Sequence, residues 1–292
     1  MTMATTGSRA SGRGRSPIQR RSLSSWLVLA LLLVLLLALV SPFLIVVFNA
    51  VKTPAEYSAN GALAPPEGIH LGGITELWGR IDFGRKLWNS LLISTTVAVL
   101  AVMVSLLNAY ALGIGRVRGR LWLLVLFLIA NTLPHEALVY PLYYASKEVG
   151  LYNSRTLVII VFTAIQSAFG TYLLTSVLSA FPRELLEAAS IDGASRSQVL
   201  RLIVVPICRP TLMVLFVFFF IWTWNEFFLP LIFLISNDVQ TVPVALGVLQ
   251  GQRLIDATAQ SASALLGIAP ALLFFLLFQR SLVRGVAAGS VK

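Results

Sequence analysis

The chain has little of what soluble chemistry needs. Its 292 residues include one cysteine, Cys208, and two histidines, His70 and His135. A single cysteine excludes an internal disulfide and a cysteine-rich metal centre. The histidines stand in no metal-ligand spacing such as HExxH, and no GxxxxGK[ST] phosphate loop occurs. A GxSxG nucleophile elbow and a His–acid pair at catalytic spacing are also missing. We therefore expect no catalytic residue, no metal and no cofactor in this chain, and ATP, if used, to be bound elsewhere. Charge is scarce as well, at 12% of residues.

Hydrophobic residues, by contrast, make up 57% of the sequence. A soluble domain of this length cannot bury so much apolar surface, so the lipid bilayer is the solvent. About 20 apolar residues cross its core as a helix. Charge-free runs place spans near 22–51, 87–115, 156–182 and 257–279, and two further runs, 121–146 and 210–236, each carry one acid. The expectation is an all-α membrane protein of six transmembrane helices over residues 22–292. The first 21 residues, rich in Arg, Ser and Gly, read as a disordered basic tail. The apolar run behind them exceeds the 7–15 residues usual for a signal-peptide core, which favours an uncleaved anchor.

The net charge of +10 is a topology signal. Assigning loops alternately to the two sides puts 15 of the 22 Lys and Arg with the termini. By the positive-inside rule both termini are cytoplasmic, and so is the long loop 183–209. Nucleic acid is not the expected partner.

That loop is the most structured of the polar segments. Pro182 suits a first helical position, and Glu184 and Glu187 fall where a negative charge favours a helix N-terminus. Asp192-Gly193 signals a turn with glycine at positive φ. A second helix is expected near Ser195, and Pro206 and Pro210 are expected to reset the chain as it re-enters the membrane. An amphipathic helix that merely covers hydrocarbon ends would explain the leucines, but not the acids, the Asp-Gly and the paired alanines.

Glu187-Ala188-Ala189, Asp192-Gly193-Ala194, Leu200 and Pro206 together resemble the EAA loop of ABC-importer permeases. Leu200 stands where the family often has phenylalanine, and a bulky apolar residue is retained. Asn89-Ser90-Leu91, Tyr110-Ala111-Leu112 and Trp224-Asn225-Glu226-Phe227 are similar to the smaller permease of the carbohydrate, maltose-transporter branch. So is the ending Gln279-Arg280, Arg284-Gly285 and Ala288-Gly289-Ser290-Val291-Lys292, whereas the Arg-rich tail departs from that branch. The resemblance implies a type I ABC-importer permease fold in the cytoplasmic (inner) membrane and a heterodimer with a second permease. It also implies two ATPase subunits that bind ATP and Mg, an extracytoplasmic solute-binding protein and a sugar substrate. Glu187 would then pair with the ATPase, Asp192 and Gly193 would shape the turn, and Ala188, Ala189 and Ala194 would permit close docking.

Ionisable groups at membrane depth are costly and mark cavities or partners. Glu226, with Trp224 and Asn225, either lines a sugar path or pairs near the outer boundary with a companion subunit, and Trp222 and Trp224 read equally as belt or packing residues. Glu136, beside Pro134 and His135, is read first as structural and second as path-lining. Tyr140, Tyr143, Tyr144 and Tyr152 fit an interfacial aromatic belt. The rival from another class is a proton-coupled secondary transporter working through Glu136 and Glu226.

Overall fold

The computed structural model describes residues 23–115, 117–251 and 256–290, with side chains between Ser25 and Gln279. The tail expected over 1–21 and the side chains of the Arg280–Lys292 ending lie outside the described residues. The chain divides into two units, one up to Ile45 and one from Val46 onward. All regular structure among the described residues is helical. Five helices are long and apolar enough to cross a bilayer, Ser25–Ala50, Phe83–Ile114, Arg155–Ser179, Arg196–Asn225 and Ala257–Gln279, and a pair bent by 94° makes a sixth. This agrees with six spans.

The first helix, α1 (Leu23–Ala50), carries no charge along its length. The segment behind it holds two short helices, α2 (Pro54–Asn60) and α3 (Gly72–Arg80). The centre of the second unit is α4 (Phe83–Ala109) against α7 (Arg155–Ser179) and α10 (Val205–Asn225). Small residues of α4, Ala98, Ala101, Ser105 and Ala109, recur every three or four positions and are fully buried. Such a stripe lets helix backbones approach closely where lipid supplies no hydrophobic drive. Gly170 of α7 completes the contact, since a Cβ there would lie 2.9 Å from both Ser105 Cβ and Phe219 Cζ. Polar groups tie the same interface: Ser105 Oγ donates to the Ser167 carbonyl at 3.2 Å, and Gln166 Nε2 to Thr223 Oγ1 at 2.8 Å.

Two spans are broken. In the third, α5 (Arg120–Thr132) stops at Leu133, whose extended ψ of 128° is what a residue before proline adopts. A 3₁₀ turn, His135–Leu138, then leads to α6 (Val139–Glu148). In the fifth, α10 stops at Asn225 and Glu226 is extended at ψ 127°. Pro230 explains this, because its ring would clash with the carbonyl one turn earlier, that of Glu226. The chain resumes as α11 (Phe228–Phe233). The beginning of this span also differs from expectation. One helix runs from Arg196 to Asn225: the widened π turn Val199–Val204 precedes Pro206, Pro210 lies inside α10, and neither proline interrupts it.

A buried polar clamp sits at the start of α4. Lys86, 1% exposed, donates to the carbonyl and side-chain oxygens of Asn237. Asn89 Nδ2 donates to the carbonyls of Asp238 and Gln240, and Arg155 Nη1 to Asn89 Oδ1. Ser90 Oγ accepts the Val242 N–H at 2.9 Å, which starts α12 (Val242–Gly251). That buried ten-residue helix was not expected, being half the length of a span.

The last helix, α13 (Ala257–Ser290), begins on Asp256. Its Oδ1 accepts from the Ala259 N–H at 2.8 Å and the Thr258 hydroxyl at 2.7 Å. The Ala259 bond first, and Thr258 second, hold the carboxyl below its ordinary value. Asp256→Ala is expected to lower stability by about 1 kcal/mol at neutral pH. A depressed carboxyl contributes above its unfolded pKa of about 4 and loses that contribution as pH falls through the folded value. Detergent melting curves of wild type and variant should therefore separate at pH 7 and converge in acid.

Candidate functional site

Between α7 and α10 the chain makes a helix–turn–helix bracket. The first arm, α8 (Arg183–Ile191), starts after Pro182 and ends in a glycine turn. Gly193 has φ +72°, which lets the Ala194 N–H reach back to the Ala189 carbonyl at 2.9 Å. The second arm, α9 (Arg196–Gln198), opens on a reciprocal cap. Gln198 N–H donates to Ser195 Oγ at 3.3 Å, and Ser195 N–H to Gln198 Oε1 at 2.7 Å. Tyr110, at the far end of α4, donates its hydroxyl to the Arg196 carbonyl at 3.1 Å. Phe181, Ala189, Val199, Val204 and Cys208 are buried in one cluster with Ala109 and Leu178. Turn, cap and core therefore fix the bracket rigidly to α4, α7 and α10.

The structure sorts the expected coupling residues onto two faces. Glu187, Ala188 and Asp192 are exposed, and Pro206 is exposed within the continuous helix. Ala189 is buried, and Ala194 and Leu200 pack against the same core. Ala188 alone of the three alanines is thus open to an outside surface, while the other two hold the bracket to its own helices. One feature escaped the sequence reading. Leu185, Ala188 and Ile191 form an outward apolar stripe, with Ile191 86% exposed. The adjacent pair Leu185-Leu186 was the available signal, since neighbours on a short helix cannot both face inward.

Two cavities flank α8. One of about 350 Å³ is lined by Gly113, Arg120, Arg183, Leu186 and Glu187, among others. The other, about 440 Å³, is lined by Tyr110, Val117, Leu186, Ala194 and Arg196. Glu187 therefore lines the same cavity as Arg120 and Arg183, yet among the described residues it makes no ion pair; the one such pair is Arg85–Asp82.

The two span breaks meet. The His135 ring faces Trp222 with centroids 6.4 Å apart, and α11 packs on the 135–138 turn and on α6. Glu136 and Asn225 are exposed here, Asn225 Nδ2 being spent on the Ile221 carbonyl at 2.8 Å. Glu226 Oε1 accepts the Phe228 N–H at 3.2 Å and so caps α11. Trp224 belongs elsewhere: it is 3% exposed and stacked on Phe220, which stacks on Phe274 at 3.5 Å. The tyrosines of α6 stay together, Lys147 Nζ lying 4.4 Å from the Tyr143 ring centre. Among the described residues no group of three or more His, Cys, Asp or Glu is placed to hold a metal.

Comparison with known proteins agrees with this architecture. Residues 109–288 match the family model described as "Binding-protein-dependent transport system inner membrane component". The sulfoquinovosyl glycerol transport system permease protein SmoH of Agrobacterium fabrum is 30% identical over 251 residues, covering 86% of this chain and 88% of the relative. The melibiose/raffinose/stachyose import permease protein MelC of Bacillus subtilis is 27% identical over 252 residues, with 86% and 91% covered. In fold, the chain is similar to a chain from the crystal structure of a bacterial ABC transporter involved in the import of the acidic polysaccharide alginate, with TM-score 0.77, 20% identity, and 89% and 98% of the two chains covered. The matched region begins at the end of α4 and takes in the bracket, both span breaks and most of α13. The chain is thus a multi-pass membrane protein of the binding-protein-dependent transport system inner membrane component family.

Proposed function

We propose that the chain is the permease subunit of an ATP-driven importer of a carbohydrate, with both termini and the bracket on the cytoplasmic side of the cytoplasmic membrane. It works with a second permease, two ATPase subunits that hold ATP and Mg, and an extracytoplasmic binding protein. The observation that carries this reading is α8: a helix fixed rigidly to three membrane helices that still presents Leu185, Ala188 and Ile191 outward alongside the exposed Glu184 and Glu187. An exposed isoleucine on a surface loop is a docking knob, and burying it stabilises a complex by about 2 kcal/mol. Di- and oligosaccharides are the favoured cargo, because the systems of relatives such as MelC are named for them. Family membership leaves the proton-driven rival without support.

The path for the sugar runs along the two meeting breaks. Glu136 and Asn225 offer polar groups at membrane depth, and Trp222 offers an apolar face to a sugar ring. Glu226 shapes the break, and Trp224 supports it from behind.

The test is affinity purification of the tagged permease from its own cells. The wild type should bring down a separate ATPase and a second permease. Ile191→Glu should lower ATPase recovery at least about tenfold, the factor that corresponds to 1.4 kcal/mol, while the variant stays membrane-inserted. Undiminished recovery with Ile191→Glu would sink the docking assignment.

A further inference from the structure

At the end of α4 opposite Tyr110 lies a cavity of about 300 Å³ between α3 and the start of α13. Its deepest charged lining residue is Lys52, 4% exposed. The ammonium donates to Asn49 Oδ1 and to the Gly61 carbonyl, each at 3.0 Å, which leaves one N–H of its three. No carboxylate of the described residues lies within ion-pair distance of it. A buried charge without a counter-charge is costly and calls for a partner from outside.

The other charges of the cavity offset one another. Glu76 and Arg80 stand one helical turn apart on α3 at the exposed rim. Asp256 is occupied by the Ala259 N–H and the Thr258 hydroxyl. The first turn of α3 adds to the positive character of the pocket. Its N-cap, Leu71, provides no side-chain acceptor, so the opening N–H groups at Gly72 and Gly73 stay free for a ligand. A Cβ at Gly73 would meet nothing within 4 Å, so the backbone is open to approach.

We propose that this cavity receives one carboxylate side chain of the extracytoplasmic binding protein, held by Lys52 and the first N–H groups of α3. The inference rests on the functional reading above, which puts this end of α4 outside the cell. One uncompensated ammonium matches one carboxylate. The rim of mixed sign suits the protein surface around an acid better than it suits a free, multiply charged anion.

The experiment uses the whole transporter in nanodiscs with its own binding protein, comparing preparations matched for basal ATPase turnover. The readout is the binding-protein concentration that half-saturates ATPase stimulation. Lys52→Gln should raise it about tenfold, and Lys52→Arg should restore most of the loss. Gly73→Asp keeps the fold, because there is room and an acid suits a helix N-terminus. By supplying an internal carboxylate it should also raise half-saturation about tenfold. Unchanged half-saturation in both Lys52→Gln and Gly73→Asp overturns the proposal. So does selective loss of uronate uptake at unchanged half-saturation, which would reassign the cavity to cargo. A complex without any ATPase activity would instead overturn the permease–ATPase reading on which this one stands.

Discussion

Exchanging Glu187 for lysine should abolish most ATP-driven uptake while the protein remains in the membrane. The residue is exposed and free of ion pairs among the described residues, so its loss costs the isolated fold little. Reversing a charge that pairs across a docked interface costs about 2–5 kcal/mol, or roughly 30-fold and more in affinity. Gly193→Val should reach the same phenotype by another route. A Cβ at Gly193 meets nothing within 4 Å, so crowding is not the issue; φ +72° is. A β-branched residue held there stores about 1–3 kcal/mol of strain and shifts the turn between the two arms. Sugar uptake, cell-surface labelling and ATPase co-purification, measured side by side, check both. Normal uptake by both variants would remove the bracket from the transport cycle.

Gly170→Val should be the most damaging single change in the membrane core. Its side chain would enter the point where α4, α7 and α10 converge, 2.9 Å from Phe219 Cζ and Ser105 Cβ. Neither neighbour has a free direction, since Ser105 and Phe219 are both fully buried. Overpacking of this kind costs about 1–3 kcal/mol, and here three helices must move together. The expected result is loss of the monodisperse detergent-solubilised protein, read by size-exclusion chromatography. Gly170→Ala should be milder, and the pair of variants grades the steric argument.

Much of this architecture was legible in the residues. Charge-free runs located the spans because lipid tolerates few charges, and Asp192-Gly193 located the turn because glycine alone takes its φ cheaply. Pro134 marked its break. The break at Glu226 was harder to see, as its cause, Pro230, acts one turn downstream, and Pro206 and Pro210 sit in an unbroken helix. Pro42 and Pro270 likewise lie inside helices, so a proline in the sequence does not by itself mark a break. In the sequence, Asn89 and Ser90 stand out only through a family resemblance. The structure supplies their physical reason, since both hold the 237–242 segment against α4. In the sequence Trp224 reads equally as a path residue, by its company of Asn225 and Glu226, and as a belt or packing residue. It is core because Phe274, fifty residues on, lies behind Phe220, and no local pattern announces a contact of that range.

The unbroken helix from Arg196 to Asn225 has a mechanical consequence. At 1.5 Å per residue its 30 residues make a rod of about 45 Å. One end is clasped by Tyr110 beside the outward stripe of α8, and the other stops at the break where His135, Trp222 and Asn225 gather. Because α4, α7 and α10 pack along one another, they tilt as one body, and a tilt of about 10° at the bracket displaces the far end by about 8 Å on that length. In the transport cycle we propose, a small push on the bracket therefore arrives at the span break as a displacement of several ångströms.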